Sequence, residues 1–138
     1  MNKTFLLAWL ATFVAWMLGS FVVHGMLLEA DYAMLTNLYR SADDGAQYFP
    51  LMLLAHVVMS GALVWIYARG VDARAWVGQG LRYGLAVALL TAVPTYTIYY
   101  AVQPMPGMLA VKQIVVDTVL LLILGVIVAF FHRHQRRA

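Results

Sequence analysis

Residues 108–131 read MLAVKQIVVDTVLLLILGVIVAFF, and the only formal charges in that run are Lys112 and Asp117. A helix needs roughly 20 mostly apolar residues to cross the hydrocarbon core of a bilayer, and this stretch supplies them. Working outward, three more segments of the same kind appear at residues 4–28, 48–68 and 76–102. The first opens behind Lys3. It is too long for the apolar part of a signal peptide, and no small-residue cleavage pattern closes it, so it reads as a retained helix.

Composition agrees with this reading. Of the 138 residues, 64% are hydrophobic and 11% charged, where a soluble domain carries roughly 25% charged residues. Mean hydropathy is +0.80. A small soluble domain leaves a large share of its surface in water and cannot hide so much apolar area. The expected fold is an all-α integral membrane protein, a four-helix transmembrane bundle forming one domain over residues 1–138. A soluble enzyme, a nucleic-acid module and a disordered tail are excluded. The chain has no cysteine, which removes disulfides, thiol exchange and thiolate metal sites. The basic pI of 9.4 reflects residues at segment ends and does not point to nucleic acid.

Those basic residues set an expected orientation. Lys3, Arg69, Arg74, Arg82 and the tail His132–Arg137 fall on one side of the four segments. The other side holds residues 29–47, with Glu29, Asp31, Asp43 and Asp44 against the single Arg40. The positive-inside rule then places both termini in the cytoplasm of a cell with this chain in its inner (plasma) membrane. Tyr48, Phe49, Tyr99 and Tyr100 mark one interface, and Trp65, Tyr67 and Trp76 the other.

Within the outer loop, Leu27, Leu28, Tyr32, Leu35, Leu38 and Tyr39 recur at helical spacing, predicting a short amphipathic helix on the membrane surface. Ser41-Ala42-Asp43-Asp44-Gly45 ends it with turn chemistry. Pro104, Pro106 and Gly107 force a tight reversal that makes the last two spans a close hairpin, whereas the loop helix splays the first two apart. Pro94 predicts a kink in the third span. Gly80 and Gly84, in a G-x-x-x-G, and Gly61 are the expected helix-packing positions.

Ionisable side chains inside a span cost roughly 2.5–3.5 kcal/mol each on insertion scales, so each one calls for a reason. A rise of about 1.5 Å per residue puts His24 and Lys112 about 6 Å, His56 about 9 Å and Asp117 about 12–14 Å below the outer edge. Tyr96, Tyr100 and Gln103 on the third span and Gln113 on the fourth lie at similar levels. These eight residues are the expected lining of a polar pocket open to the outer face, with Glu29 and Asp31 at its mouth. Asp117 is the strongest signal, because a short carboxylate at that depth cannot snorkel to water.

Several functions fit such a cluster. The leading expectation is a non-enzymatic accessory or structural component, a homo-oligomer or a subunit of a larger membrane complex, with lipid as its main partner. The alternatives are proton-coupled transport of a small solute or ion, with Asp117 and His56 as the titrating pair, or a haem or divalent-metal site on His24 and His56. An enzyme using Asp117 as acid or base ranks behind these.

Overall fold

The computed structural model of the chain describes residues 2–135. Arg136 and Arg137, part of the basic tail, lie outside the described residues. The architecture is entirely helical among the described residues, and four helices are long and apolar enough to cross a membrane: Lys3–Leu27, Phe49–Arg69, Trp76–Val102 and Gly107–His132.

The first span begins at α1 (Lys3–Val22), where the Asn2 side chain caps the first turn by accepting the Phe5 N–H at 2.8 Å. It continues as a single π-helical turn, Val23–Leu27. Such wide turns displace side chains from the regular helical positions and recur at functional sites; this one carries His24. Two short helices follow, α2 (Glu29–Ala33) and α3 (Ala42–Ala46). The second span is α4 (Phe49–Arg69), with Pro50 in its first turn, where a missing N–H costs nothing.

The third span is broken, as Pro94 predicts. Helix α5 (Trp76–Leu90) stops at Thr91, whose backbone leaves regular helical geometry at φ −118°, ψ −73°, and α6 (Ala92–Val102) restarts beyond it. Pro94 lacks the N–H that would bond to the Leu90 carbonyl. The Thr91 hydroxyl donates back to the Val87 carbonyl at 2.7 Å, steadying the end of α5. The fourth span is one unbroken helix, α7 (Gly107–His132).

Helix α7 is the hub and packs against all three other spans. Its closest partner is α5, and glycines on both helices explain why. A Cβ on Gly80 would sit 2.7 Å from the Gly125 carbonyl oxygen; one on Gly84 would strike the Leu121 carbonyl oxygen; one on Gly125 would strike the Gly80 carbonyl oxygen. Only hydrogen fits at this crossing. Gly80 and Gly84 are therefore consumed inside the chain and do not form a face for another subunit.

Two expectations about the loops are corrected. Residues 41–45 are not a turn: Ser41 caps α3 by accepting the Asp44 N–H at 3.3 Å, and Asp43 and Asp44 favour its positive N-terminal end. Nor are the first two spans the ones that splay. The Trp9 indole lies against Gly61 and donates to the Val57 carbonyl at 3.0 Å and the Ser60 hydroxyl at 3.1 Å, so α1 and α4 pack together. The gap opens between α4 and α5–α6 instead. At the end carrying the termini that gap is closed, since Tyr83 donates to the Leu63 carbonyl at 2.6 Å and Tyr67 to Gln79 at 3.2 Å. Toward the loop end the two spans part: among the described residues, positions 49–60 hydrogen-bond to α1 and to α4 itself, but not to α6.

Candidate functional site

The parting of α4 from α6 leaves a cavity of about 830 Å³ that touches all four spans. Its walls are mainly apolar and sulfur-bearing side chains, among them Trp16, Met17, Phe21, Met52, Met59 and Leu121. Four of the sequence-singled residues also reach it: His24, His56, Tyr96 and Asp117. Among the described residues, no Lys or Arg lines it.

Asp117 is the centre of a chain of polar contacts, part hydrogen bond and part ion-pair distance. The Tyr96 hydroxyl donates to Asp117 Oδ2 in a short bond, joining α6 to α7. On the other side, His24 Nε2 lies 3.3 Å from Asp117 Oδ1, joining the first span to the fourth. His24 Nδ1 in turn lies 2.7 Å from the Tyr32 hydroxyl of α2. Gln113, only 2% exposed, donates from Nε2 to the Tyr32 oxygen at 3.2 Å and to the Tyr39 oxygen at 3.5 Å. An ionised carboxylate can only accept, so the ring proton of a neutral His24 belongs on Nε2, leaving Nδ1 to accept the Tyr32 O–H. The buried Gln113 Oε1, by contrast, has no hydrogen-bond partner among the described residues.

The chain runs from the loop end to the cavity wall. The side chain of His24 is 34% exposed and that of Asp117 16%. Burial pushes the Tyr32 hydroxyl up to about 12, with the negative charges of Asp117 and Asp31 adding to the effect. Tyr32 therefore keeps its proton at neutral pH and can pass one on only by accepting another. Its position comes from packing: Tyr32, Leu35, Leu38 and Tyr39 fold over Val23, Leu28, Met105 and Leu109. The apolar stripe of the loop thus lies on the ends of the bundle, with the Tyr32 and Tyr39 rings 4.5 Å apart.

The remaining predicted residues have other partners. His56 crosses the gap between α4 and α1, its Nε2 3.0 Å from the Ser20 hydroxyl and its Nδ1 2.8 Å from the Met52 carbonyl oxygen. It faces the same cavity as Asp117 without bonding to it. Lys112 reaches away from Asp117 and pairs with Asp31, 2.9 Å from each carboxylate oxygen. Tyr100 is exposed, its ring lying over Gly107. Gln103 stands in the turn after α6, its N–H bonded to the Tyr99 carbonyl at 2.8 Å. Neither Tyr100 nor Gln103 lines the cavity.

The structure bears on metal or haem ligation through the ring nitrogens. Both nitrogens of His24 and both of His56 are already engaged, with different partners, and no group of three or more His, Cys, Asp or Glu side chains among the described residues is arranged to hold a metal ion. Tyr32 and Ser20 are the site residues that sequence reasoning passed over. Tyr32 was visible only as one more aromatic in an amphipathic stripe. Ser20 is a single neutral hydroxyl in a mainly apolar run of the first span.

Compared with known protein families, curated proteins and solved structures, the chain matches none.

Proposed function

We propose that this chain is a non-enzymatic, proton-coupled carrier of small, largely apolar solutes, working in the cell's inner membrane with both termini on the cytoplasmic side. The observation that carries the reading is the Tyr32–His24–Asp117–Tyr96 chain ending on the wall of the cavity between α4 and α6. A carboxylate in low dielectric is costly when charged and unpaired. It exchanges its proton only if a path leads to water, and His24 with Tyr32 supplies one. While Asp117 is protonated, the His24 ring proton sits on Nδ1. Asp117 then hands its proton to Nε2 as Nδ1–H passes its proton to Tyr32. Tyr32 releases its own at the loop surface, leaving His24 with its proton on Nε2. The titrating pair is Asp117 with His24, in place of the Asp117 and His56 expected from depth alone. His56 then serves as a polar contact for solute on the opposite wall.

The accessory reading keeps one observation in its favour, since the bonds of Asp117 also tie the first, third and fourth spans together. A structural glue of that kind needs no titration and no cavity. Proteoliposomes carrying a pH-sensitive dye separate the two readings. With a panel of apolar solutes of each charge type outside, wild type moves protons with at least one solute. Asp117→Asn, still folded and inserted, moves none. Equal proton movement by both proteins with every solute would leave Asp117 as helix glue.

A further inference from the structure

The charge balance of the cavity goes further than the reading above, on which this inference rests, and selects a class of solute. Among the described residues, Asp117 is the only one on the wall whose ordinary state at neutral pH is charged. The groups around it do not cancel that charge permanently. His24 faces it from the π turn, and Tyr32, Tyr39 and Asp31 stand beyond on the loop. Tyr96 faces it from α6, His56 and Tyr83 line the cavity from α4 and α5, and Lys112 of α7 itself is taken up by Asp31 at 2.9 Å. A carboxylate has about four lone-pair directions; Tyr96 bonds to one oxygen and His24 lies 3.3 Å from the other.

The rest of the wall suits a cation with an apolar body. Trp16, Phe21, Phe49 and Tyr96 offer ring faces that attract positive charge, and Met17, Met52 and Met59 adapt to irregular shapes. A volume of about 830 Å³ lies in the range of roughly 300–1,000 Å³ that holds drug-sized molecules. An anion would meet Asp117 with no Lys or Arg to offset it, and a compact, strongly hydrated ammonium would lose its water without enough polar replacements.

We propose that the cavity binds apolar organic cations of delocalised charge, entering from the lipid between α4 and α6, in competition with the proton on Asp117. One positive charge enters as one proton leaves through His24 and Tyr32, so the net charge of the site is conserved.

The test uses purified protein in phosphatidylcholine nanodiscs with tetraphenylphosphonium as the probe, by isothermal titration calorimetry. Affinity should fall by about tenfold per pH unit once Asp117 takes up its proton, and Asp117→Asn should weaken binding at least tenfold and abolish the pH dependence. Tetraphenylborate, of nearly the same shape and opposite charge, tests selection on the wild type alone and should bind at least tenfold more weakly. Equal binding of the two ions, or an unchanged affinity in Asp117→Asn, overturns the inference. Neutral N-phenyl-1-naphthylamine, compared in wild type and in Ala62→Trp, which fills the cavity, distinguishes the two levels. If that probe enters wild type and is excluded by Ala62→Trp while tetraphenylphosphonium shows no Asp117 dependence, the cation assignment falls and the cavity reading stands. If neither probe binds, both fall.

Discussion

Replacing Gly84 by Ala tests the packing that holds the cavity open. The added methyl would strike the Leu121 carbonyl oxygen and lie 2.8 Å from the Leu122 Cα and 3.0 Å from the Leu121 carbonyl carbon. All three atoms are backbone of α7, so no side chain can rotate away. Helices α5 and α7 must separate by about half an ångström or more to restore ordinary contact. Overpacking of this kind costs typically 1–3 kcal/mol. A site walled by backbone belongs in the upper part of that range, and the better helix propensity of Ala returns up to about 1 kcal/mol. The expected net loss is about 2 kcal/mol, roughly thirtyfold in the folding equilibrium. Gly78, six residues earlier on the same helix, is the control. Its nearest neighbour would be the mobile end of Arg82 at 3.8 Å, so Gly78→Ala should be neutral or slightly stabilising. Both variants can be measured by titrating mixed micelles with sodium dodecyl sulfate and following helicity by circular dichroism. A Gly84→Ala midpoint equal to or above that of wild type would refute the packing argument, as would an equal loss in Gly78→Ala.

Other changes probe other parts of the structure. Thr12 Oγ1 is buried and has no hydrogen-bond partner among the described residues; Thr12→Val should therefore stabilise by about 1 kcal/mol in the same titration. The Lys112–Asp31 pair is partly exposed, with side chains 45% and 21% accessible, and Lys112→Ala should cost no more than about 1 kcal/mol. Because the folded state holds the Tyr32 proton up to about 12, this residue's contribution to stability is complete below the ordinary tyrosine range near 10 and declines as pH rises through the folded value. Tyr32→Phe should flatten that alkaline loss in thermal melts, and an unchanged alkaline profile would count against the burial of the hydroxyl.

The spans were legible because hydropathy summed over some 20 residues is a strong signal. The 76–102 segment coincides with the third span, and the others differ from their helices by a residue at either end. Pro94 announced the break in the third span through a missing donor. Rotation was not legible. Helices apolar on every side carry little periodicity, so nothing in the sequence said whether His24 or His56 meets Asp117. The π turn decides that, and no residue pattern marks it. Gly80 and Gly84 stood out by spacing, whereas Gly125, alone in a run of Leu, Ile and Val, did not. The apolar stripe of the outer loop suits a lipid surface; in the structure its Tyr32, Leu35, Leu38 and Tyr39 pack on Val23, Leu28, Met105 and Leu109, and the α-helix there is confined to Glu29–Ala33.

In the proposed proton exchange Asp117 changes its protonation state while the bundle stays folded. Infrared difference spectroscopy across a pH titration tests it directly, because Asp117 is the sole Asp or Glu within the four spans. A protonated-carboxyl C=O band should disappear as pH rises, be missing in Asp117→Asn, and respond more slowly to a pH jump in His24→Ala. A carboxyl band that never changes over the pH range in which the helices persist would contradict it.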